Sequence, residues 1–200
     1  MKREILFCGD PVLRQKAKPV HEITDEIREL FGDMAPTMVE ARGVGLAAPQ
    51  VGESVRAVCL QWIDESDEDK EDEDDGDVRI VCLLNPRIVE REGEQEGMEG
   101  CLSLPTLHAV VRRSARVRAE AMSLDGTTLH IEAQGLMARA IQHEIDHLNG
   151  VLFIDRAEEG SLQWMVPDPK EEYGYRFEDA TWEEAKERFE RMRKNRSGGE

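Results

Sequence analysis

The chain has no apolar run approaching the ~20 residues needed to cross a bilayer, so a membrane-spanning helix is excluded. The N-terminus offers Lys2 and Arg3, but Ile5-Leu6-Phe7-Cys8 is too short for the apolar core of a signal peptide. The default expectation is therefore the cytoplasm. Cysteine is scarce: Cys8, Cys59, Cys82 and Cys101 are widely spaced in 200 residues, which does not read as a disulfide framework. Neither a Gly-Lys-Ser/Thr phosphate loop nor G-x-G-x-x-G occurs, and no internal repeat is visible. Lysine is scarce too, seven against nineteen arginines, in a chain of net charge −17. An acidic, lysine-poor surface is compatible with a high-salt interior, where salt screens self-repulsion.

What is present suggests one domain with a real core, 40% of the residues being hydrophobic. Acidity is concentrated: residues 64–77 hold eleven Asp or Glu and one Lys. With no apolar residue to bury, 64–77 reads as a solvated loop insert. A cation site of the EF-hand kind does not fit, because its Gly and terminal Glu are misplaced.

In order, Asp10-Pro11 marks a turn. A helix is expected from Thr24, with Ile23, Ile27, Leu30, Phe31 and Met34 on one stripe and Pro36 forcing a kink or a restart. Gly43-Val44-Gly45-Leu46-Ala47-Ala48-Pro49-Gln50 allows close backbone approach, or is a plain helix-to-strand turn. Strands are expected over 55–63, 78–84 (ended by Asn85-Pro86), 87–92, 110–124 and 127–133, the last two joined by an Asp125-Gly126 hairpin turn.

A helix then runs over about 135–149 and carries His143-Glu144-Ile145-Asp146-His147, an H-E-x-x-H pattern ended by Asn149-Gly150. Histidines four apart leave one face and can share a metal ion, with Glu144 beside them to touch a water. Val151–Ile154 leads away as a short strand or packing segment. The tail, 157–200, reads as loop broken by Pro167, Pro169 and Gly174, then a helix with a Thr181-x-x-Glu184 capping box. Trp182, Ala185, Phe189 and Met192 share one face, and Glu184–Arg188 and Glu187–Arg191 are i,i+4 pairs. Arg188, Arg191, Arg193, Lys194 and Arg196 form the one basic patch.

A catalytic H-E-x-x-H site needs a third ligand. Phe153 stands where one protease pattern places a further His, so that class lacks its ligand. Glu171 or Glu172 could serve a second class, that of zinc endopeptidases. Cys101 could serve a third, leaving a tetrahedral position open. Outside enzymes, the pattern fits a metal-stabilised binding protein.

Gly43–Gln50, Glu99-Gly100-Cys101-Leu102-Ser103 and Gln142–His147 together resemble the peptide deformylase family, from about Asp10 to Asp155. The resemblance implies an α+β fold: antiparallel strands around a central metal-binding helix, with an N-terminal and a C-terminal helix. It covers a catalytic domain over 1–156, apart from the acidic insert 64–77; the loop-and-helix tail over 157–200 falls outside the resemblance. The metal ligands would be Cys101, His143 and His147, around Fe(II), with Zn(II) or Ni(II) as alternatives. Glu144 would be general base and acid, and the Gln50 side chain and Leu102 N–H would hold the oxyanion. Val44, Gly45, Glu99 and Ile141 would contact the substrate, the N-terminal formyl-methionine of new polypeptides. The C-terminal helix is a candidate for ribosome contact, or else packs Trp182 and Phe189 on its own domain; neither DNA nor a membrane is expected as a partner. The pattern departs at His108, where family members often carry an arginine; Arg113 is kept.

Overall fold

A computed structural model describes residues 2–62 and 79–197. The acidic stretch expected as a loop insert, 64–77, lies outside the described residues. The described chain is α+β, as expected, with three helices and nine strands in two antiparallel sheets.

The first sheet has the order β1-β2-β3-β6-β7, formed by Gly45–Ala47 (β1), Ala57–Trp62 (β2), Arg79–Glu92 (β3), Arg116–Met122 (β6) and Thr128–Gln134 (β7). β2 and the middle of β3 are apolar on both faces because a helix covers each face there. Ala57, Cys59 and Leu84 pack with Leu30, Phe31, Met34 and Met38 of helix α1, Asp25–Glu40. Val58, Leu60 and Leu83 pack with Met137, Ile141, Ile145 and Leu148 of helix α2, Gly135–Leu148. Alternate side chains of one strand thus enter different cores, the period-two rule of a pleated strand.

The second sheet has the order β4-β5-β8-β9, formed by Gln95–Cys101 (β4), Leu104–Arg113 (β5), Gln163–Pro167 (β8) and Tyr175–Asp179 (β9). Leu104, Leu107, Ala109 and Val111 share a core with Leu152, Phe153 and Trp164, and with Ala185 and Phe189 of helix α3, Trp182–Ser197.

Several expectations need correction. Pro36 neither splits nor ends α1, which runs unbroken through it. Pro36 and Gly32, whose carbonyl loses its usual donor, are both exposed, so water can take the place of the missing bond. Asn85-Pro86 does not end a strand: β3 continues to Glu92 through a register shift between Leu84 and Arg87. Asn85 takes a positive φ of 51° there, and its side-chain amide accepts from Val20 N (2.8 Å) and donates to Val20 O (2.7 Å). The strand expected over 110–124 is two strands, because the chain passes between sheets at Ser114-Ala115. Of the two readings of Val151–Ile154 the packing segment holds: a short 3-10 turn, Phe153–Asp155, buries Leu152 and Phe153. The tail is no loop before its helix, because β8 and β9 form a hairpin whose first strand pairs with β5 through Leu107↔Trp164. The tail completes the core beneath the second sheet, with Ala185 and Phe189 buried there.

Candidate active site

Helix α2 presents the groups that matter, and it is buried from Met137 to Leu148, polar residues included. Gly135 enters it with φ 52°, a conformation that suits glycine. A helix sunk this deeply pairs nearly all of its polar side chains. Gln142 accordingly holds the Ser114 backbone at both its N–H and its C=O. Asp146 holds Arg156 through two bonds and also contacts Arg113.

Cys101 ends β4, where the ladder to β5 becomes irregular after Gly100. Its Sγ lies 3.2 Å from His147 Nε2, and the ligand atoms of Cys101, His143 and His147 all fall within 4.8 Å of one another. One thiol and two imidazoles suit a transition-metal ion and leave a coordination position open. The surroundings support that fit. His143 Nδ1 is taken by Glu99 Oε2 at 3.0 Å, which turns Nε2 toward Cys101.

Glu99 is anchored in turn. Arg113 grips it through Nε–Oε1 and Nη2–Oε2, both 2.9 Å, and Arg139 adds Nη1–Oε1 at 2.7 Å. Burial alone would push the Glu99 carboxyl up, but Arg113 and His143 hold it well below the usual carboxylate range. Burial works against charge on His143 as well; contact with Cys101 and Glu99 outweighs it and raises that imidazole well above its ordinary value. Burial and the neighbouring His143 press His147 the other way, well below.

Glu144 sits on the opposite flank. It is only 4% exposed, and its Oε2 has no hydrogen-bond partner. Burial pushes its carboxyl up to about 7. His143, its neighbour in the chain, also interacts with it electrostatically, so an unpartnered carboxylate oxygen adjoins one member of the cluster. Gly45 makes this possible, since a Cβ there would lie 2.7 Å from Glu144 Cδ. Gln50 is set by its own loop: Oε1 accepts from Ala47 N at 2.8 Å, while Nε2 donates to Ser103 Oγ at 3.2 Å and faces Cys101 Sγ at 3.5 Å.

The family described as Polypeptide deformylase matches residues 2–162. The chain belongs to the peptide deformylase family. It is 44% identical over 163 residues to a peptide deformylase of Dictyoglomus thermophilum, covering 82% of this chain and 97% of the relative. Among solved structures, a peptide deformylase from Legionella pneumophila is 40% identical with a TM-score of 0.69, covering 80% of this chain and 88% of that one. A peptide deformylase from Synechococcus elongatus, solved in complex with actinonin, is 39% identical with a TM-score of 0.69, covering 78% and 79%.

Within this deformylase fold the remaining expected residues fall as follows. Leu102 is half-buried and packs over Gly43, where a Cβ would meet its Cγ at 3.3 Å. Ile141 is 1% exposed and belongs to the core, with half-buried Val44 packed against the same cluster. Glu99 differs from its expected role as a substrate contact. Both its oxygens are engaged by Arg113, Arg139 and His143, so it stands behind a ligand rather than at the mouth of the site. Arg113 is likewise spent on Glu99 and Asp146. His108 packs over Gly100 and meets Phe177 edge-on, ring centroids 5.4 Å apart. Glu171 and Glu172 are exposed in the β8–β9 turn, apart from the one ligand cluster found among the described residues. Arg139, Asp146 and Ser103 were not singled out from sequence. An Arg and an Asp on a helix with so strong an apolar stripe were the available signal, because buried charges are kept when paired.

Proposed function

We propose that this chain removes the formyl group from the N-terminal formyl-methionine of new polypeptides in the cytoplasm, by hydrolysis of a linear amide that releases formate. The observation that carries this reading is the Cys101–His143–His147 cluster with the unpartnered Glu144 Oε2 beside it. Cys101, His143 and His147 would hold a divalent ion, Fe(II) by family expectation, Zn(II) or Ni(II) as alternatives. When bound, such an ion supplies Lewis-acid activation of water and of the formyl carbonyl.

The chain's own residues do the rest. Glu144 takes the proton from the attacking water and delivers it to the departing amine nitrogen, a role that suits a carboxyl poised near 7. The Gln50 amide, aimed by Ala47 N–H, and the Leu102 backbone N–H donate to the oxyanion, a contribution of about 3 kcal/mol per donor. β1 and β4 are each the end strand of their sheet, and α2 reaches both, through Glu144 at Gly45 and His143 at Glu99. A substrate backbone can therefore add as a strand at the open edge. Val44, with Ile141 behind it, supplies apolar surface for the methionine side chain.

The ribosome contact expected of α3 rests on its polar side alone, Arg191 and Lys194 among it, because Ala185 and Phe189 are buried. The endopeptidase reading gains nothing from the exposed Glu171 and Glu172.

The test is a formyl-Met peptide assay on anaerobically purified protein, paired with metal analysis. Glu144→Gln keeps its metal and loses activity by roughly 10²–10⁴-fold. Cys101→Ala loses both. A Glu144→Gln protein deformylating at the wild-type rate overturns the mechanism.

A further inference from the structure

Two cysteines that the function does not use meet inside the first sheet. Cys59 on β2 and Cys82 on β3 are directly opposed in the antiparallel ladder. Their sulfurs are 3.9 Å apart. Opposed residues of an antiparallel pair have Cα atoms about 4.5–5.5 Å apart, inside the range of about 4.4–6.8 Å that a disulfide spans. Closing the bond therefore asks for side-chain rotation and a small strand adjustment, with no change of register. From their spacing in the chain the four cysteines give no such pairing; β2 and β3 create it.

The two thiols are unequal. Cys59 is wholly buried, whereas Cys82 is half-buried at the margin of the core under α1. The thiol–thiol hydrogen bond, then burial, pushes Cys59 up, and the same bond brings Cys82 down. Cys82 is thus both the more reachable and the more readily ionised sulfur, and the thiolate is the form that reacts.

We propose that Cys59 and Cys82 are a reversible modification site, closing to a cross-strand disulfide in exchange with a low-molecular-weight disulfide. The Cys82 thiolate attacks one sulfur of the small disulfide, breaking its S–S bond, forming a mixed disulfide on Cys82 and releasing one thiolate. Cys59, losing its proton, then attacks the Cys82 sulfur and expels the second small thiolate. Two protein thiols are oxidised, one small disulfide is reduced to two thiols, and nothing further is consumed.

The position gives the bond a use. The segment between the two strands carries a net charge of −10 over residues 64–77. Like charges so close in the chain repel one another, a force that acts against keeping the two flanking strands paired. Cys59 and Cys82 stand three ladder pairs in from Trp62↔Arg79, where a covalent tie opposes that spreading. The repulsion is screened by salt, so the tie matters most at low ionic strength.

The test uses the full chain loaded with its metal and equilibrated anaerobically with oxidised and reduced glutathione, then quenched with an alkylating agent. Intact mass and peptide mapping are expected to show one bond, between Cys59 and Cys82, reversed by excess reduced glutathione. The oxidised form melts higher than the reduced form, by a margin that shrinks from low to molar salt. Cys82→Ala, at the half-exposed position, abolishes the bond and the margin, while Cys8→Ser leaves both. A stable glutathione adduct on Cys82 that never closes, a bond joining Cys8 to Cys101, or no bond at all overturns the proposal.

Discussion

A side chain at position 45 has no space to occupy, because Glu144 lies across the Gly45 backbone. Glu144 must therefore move if position 45 gains even a methyl group. Gly45→Ala is expected to fold, to bind metal and to lose about 10²-fold in kcat/KM on a formyl-Met peptide, the penalty for misplacing a reacting group by roughly 1 Å. Wild-type kinetics in that variant would show that Glu144 works from another position. The clustered trio Cys101, His143 and His147 was legible as letters, since H-E-x-x-H has a fixed geometry on a helix and Gly-Cys-Leu resembles a family block. The carboxylate behind His143 was not. Glu99 and His143 are 44 residues apart, and only the fold brings the oxygen to the imidazole.

At the scale of elements, the tail is the part whose importance sequence patterning understated. β8 adds to β5, and α3 places Ala185 and Phe189 against Leu104 and Leu107. The capping box forms as expected: Thr181 N donates to Glu184 Oε2 at 3.0 Å and Glu184 N to Thr181 Oγ1 at 3.3 Å. Of the two expected ion pairs along α3, Glu187–Arg191 is made at 3.9 Å. Glu184 turns back to its cap instead, and Arg188 lies over the Trp164 ring at 4.4 Å. Truncation after Leu162 strips Trp164, Ala185 and Phe189 from a shared core. At about 1.5–3 kcal/mol for each large side chain, the loss approaches the whole stability of an ordinary domain. The truncated chain is therefore expected to be insoluble or to melt at a much lower temperature than the full chain; a soluble product with an unchanged melting temperature would refute this. Charge reversal at Arg191 and Lys194 is the cleaner probe of ribosome contact, because it leaves Phe189 in place.

Helix α2 and the Asp125-Gly126 hairpin were legible because one periodic run and one turn signal sufficed. The β8–β9 hairpin was not, because Pro167, Pro169 and Gly174, which read as loop, belong to its end and its turn. The passage from β5 to β6 was hidden for a different reason. Over 110–124, strand-like residues, apolar and polar mixed, run on both sides of Ser114, and nothing local marks it as the place where the chain changes sheets.

For the whole molecule, charge sets the conditions of use. Exposed ion pairs such as Arg118 between Glu90 and Glu132 weaken as salt rises, each contributing at most about 1 kcal/mol. Against them stands the self-repulsion of a chain at net −17. Screening shortens from about 10 Å at 0.1 M to about 3 Å at 1 M, and the repulsion has more to lose. Melting temperature and activity are expected to rise together between low and molar salt; a flat or falling response would remove the high-salt reading.

The three ligand atoms do not belong to one layer. Cys101 closes a strand of the second sheet, while His143 and His147 ride on a helix seated against the first. An ion gripped by all three is thus a rivet through two leaves, and its binding energy is shared with their cohesion. Chelation should cost the protein firmness as well as turnover, lowering the melting temperature and quickening amide exchange along β4, which has the rivet at its tip. The tightest-binding ion, whether or not it is the fastest catalyst, would then make the hardest protein.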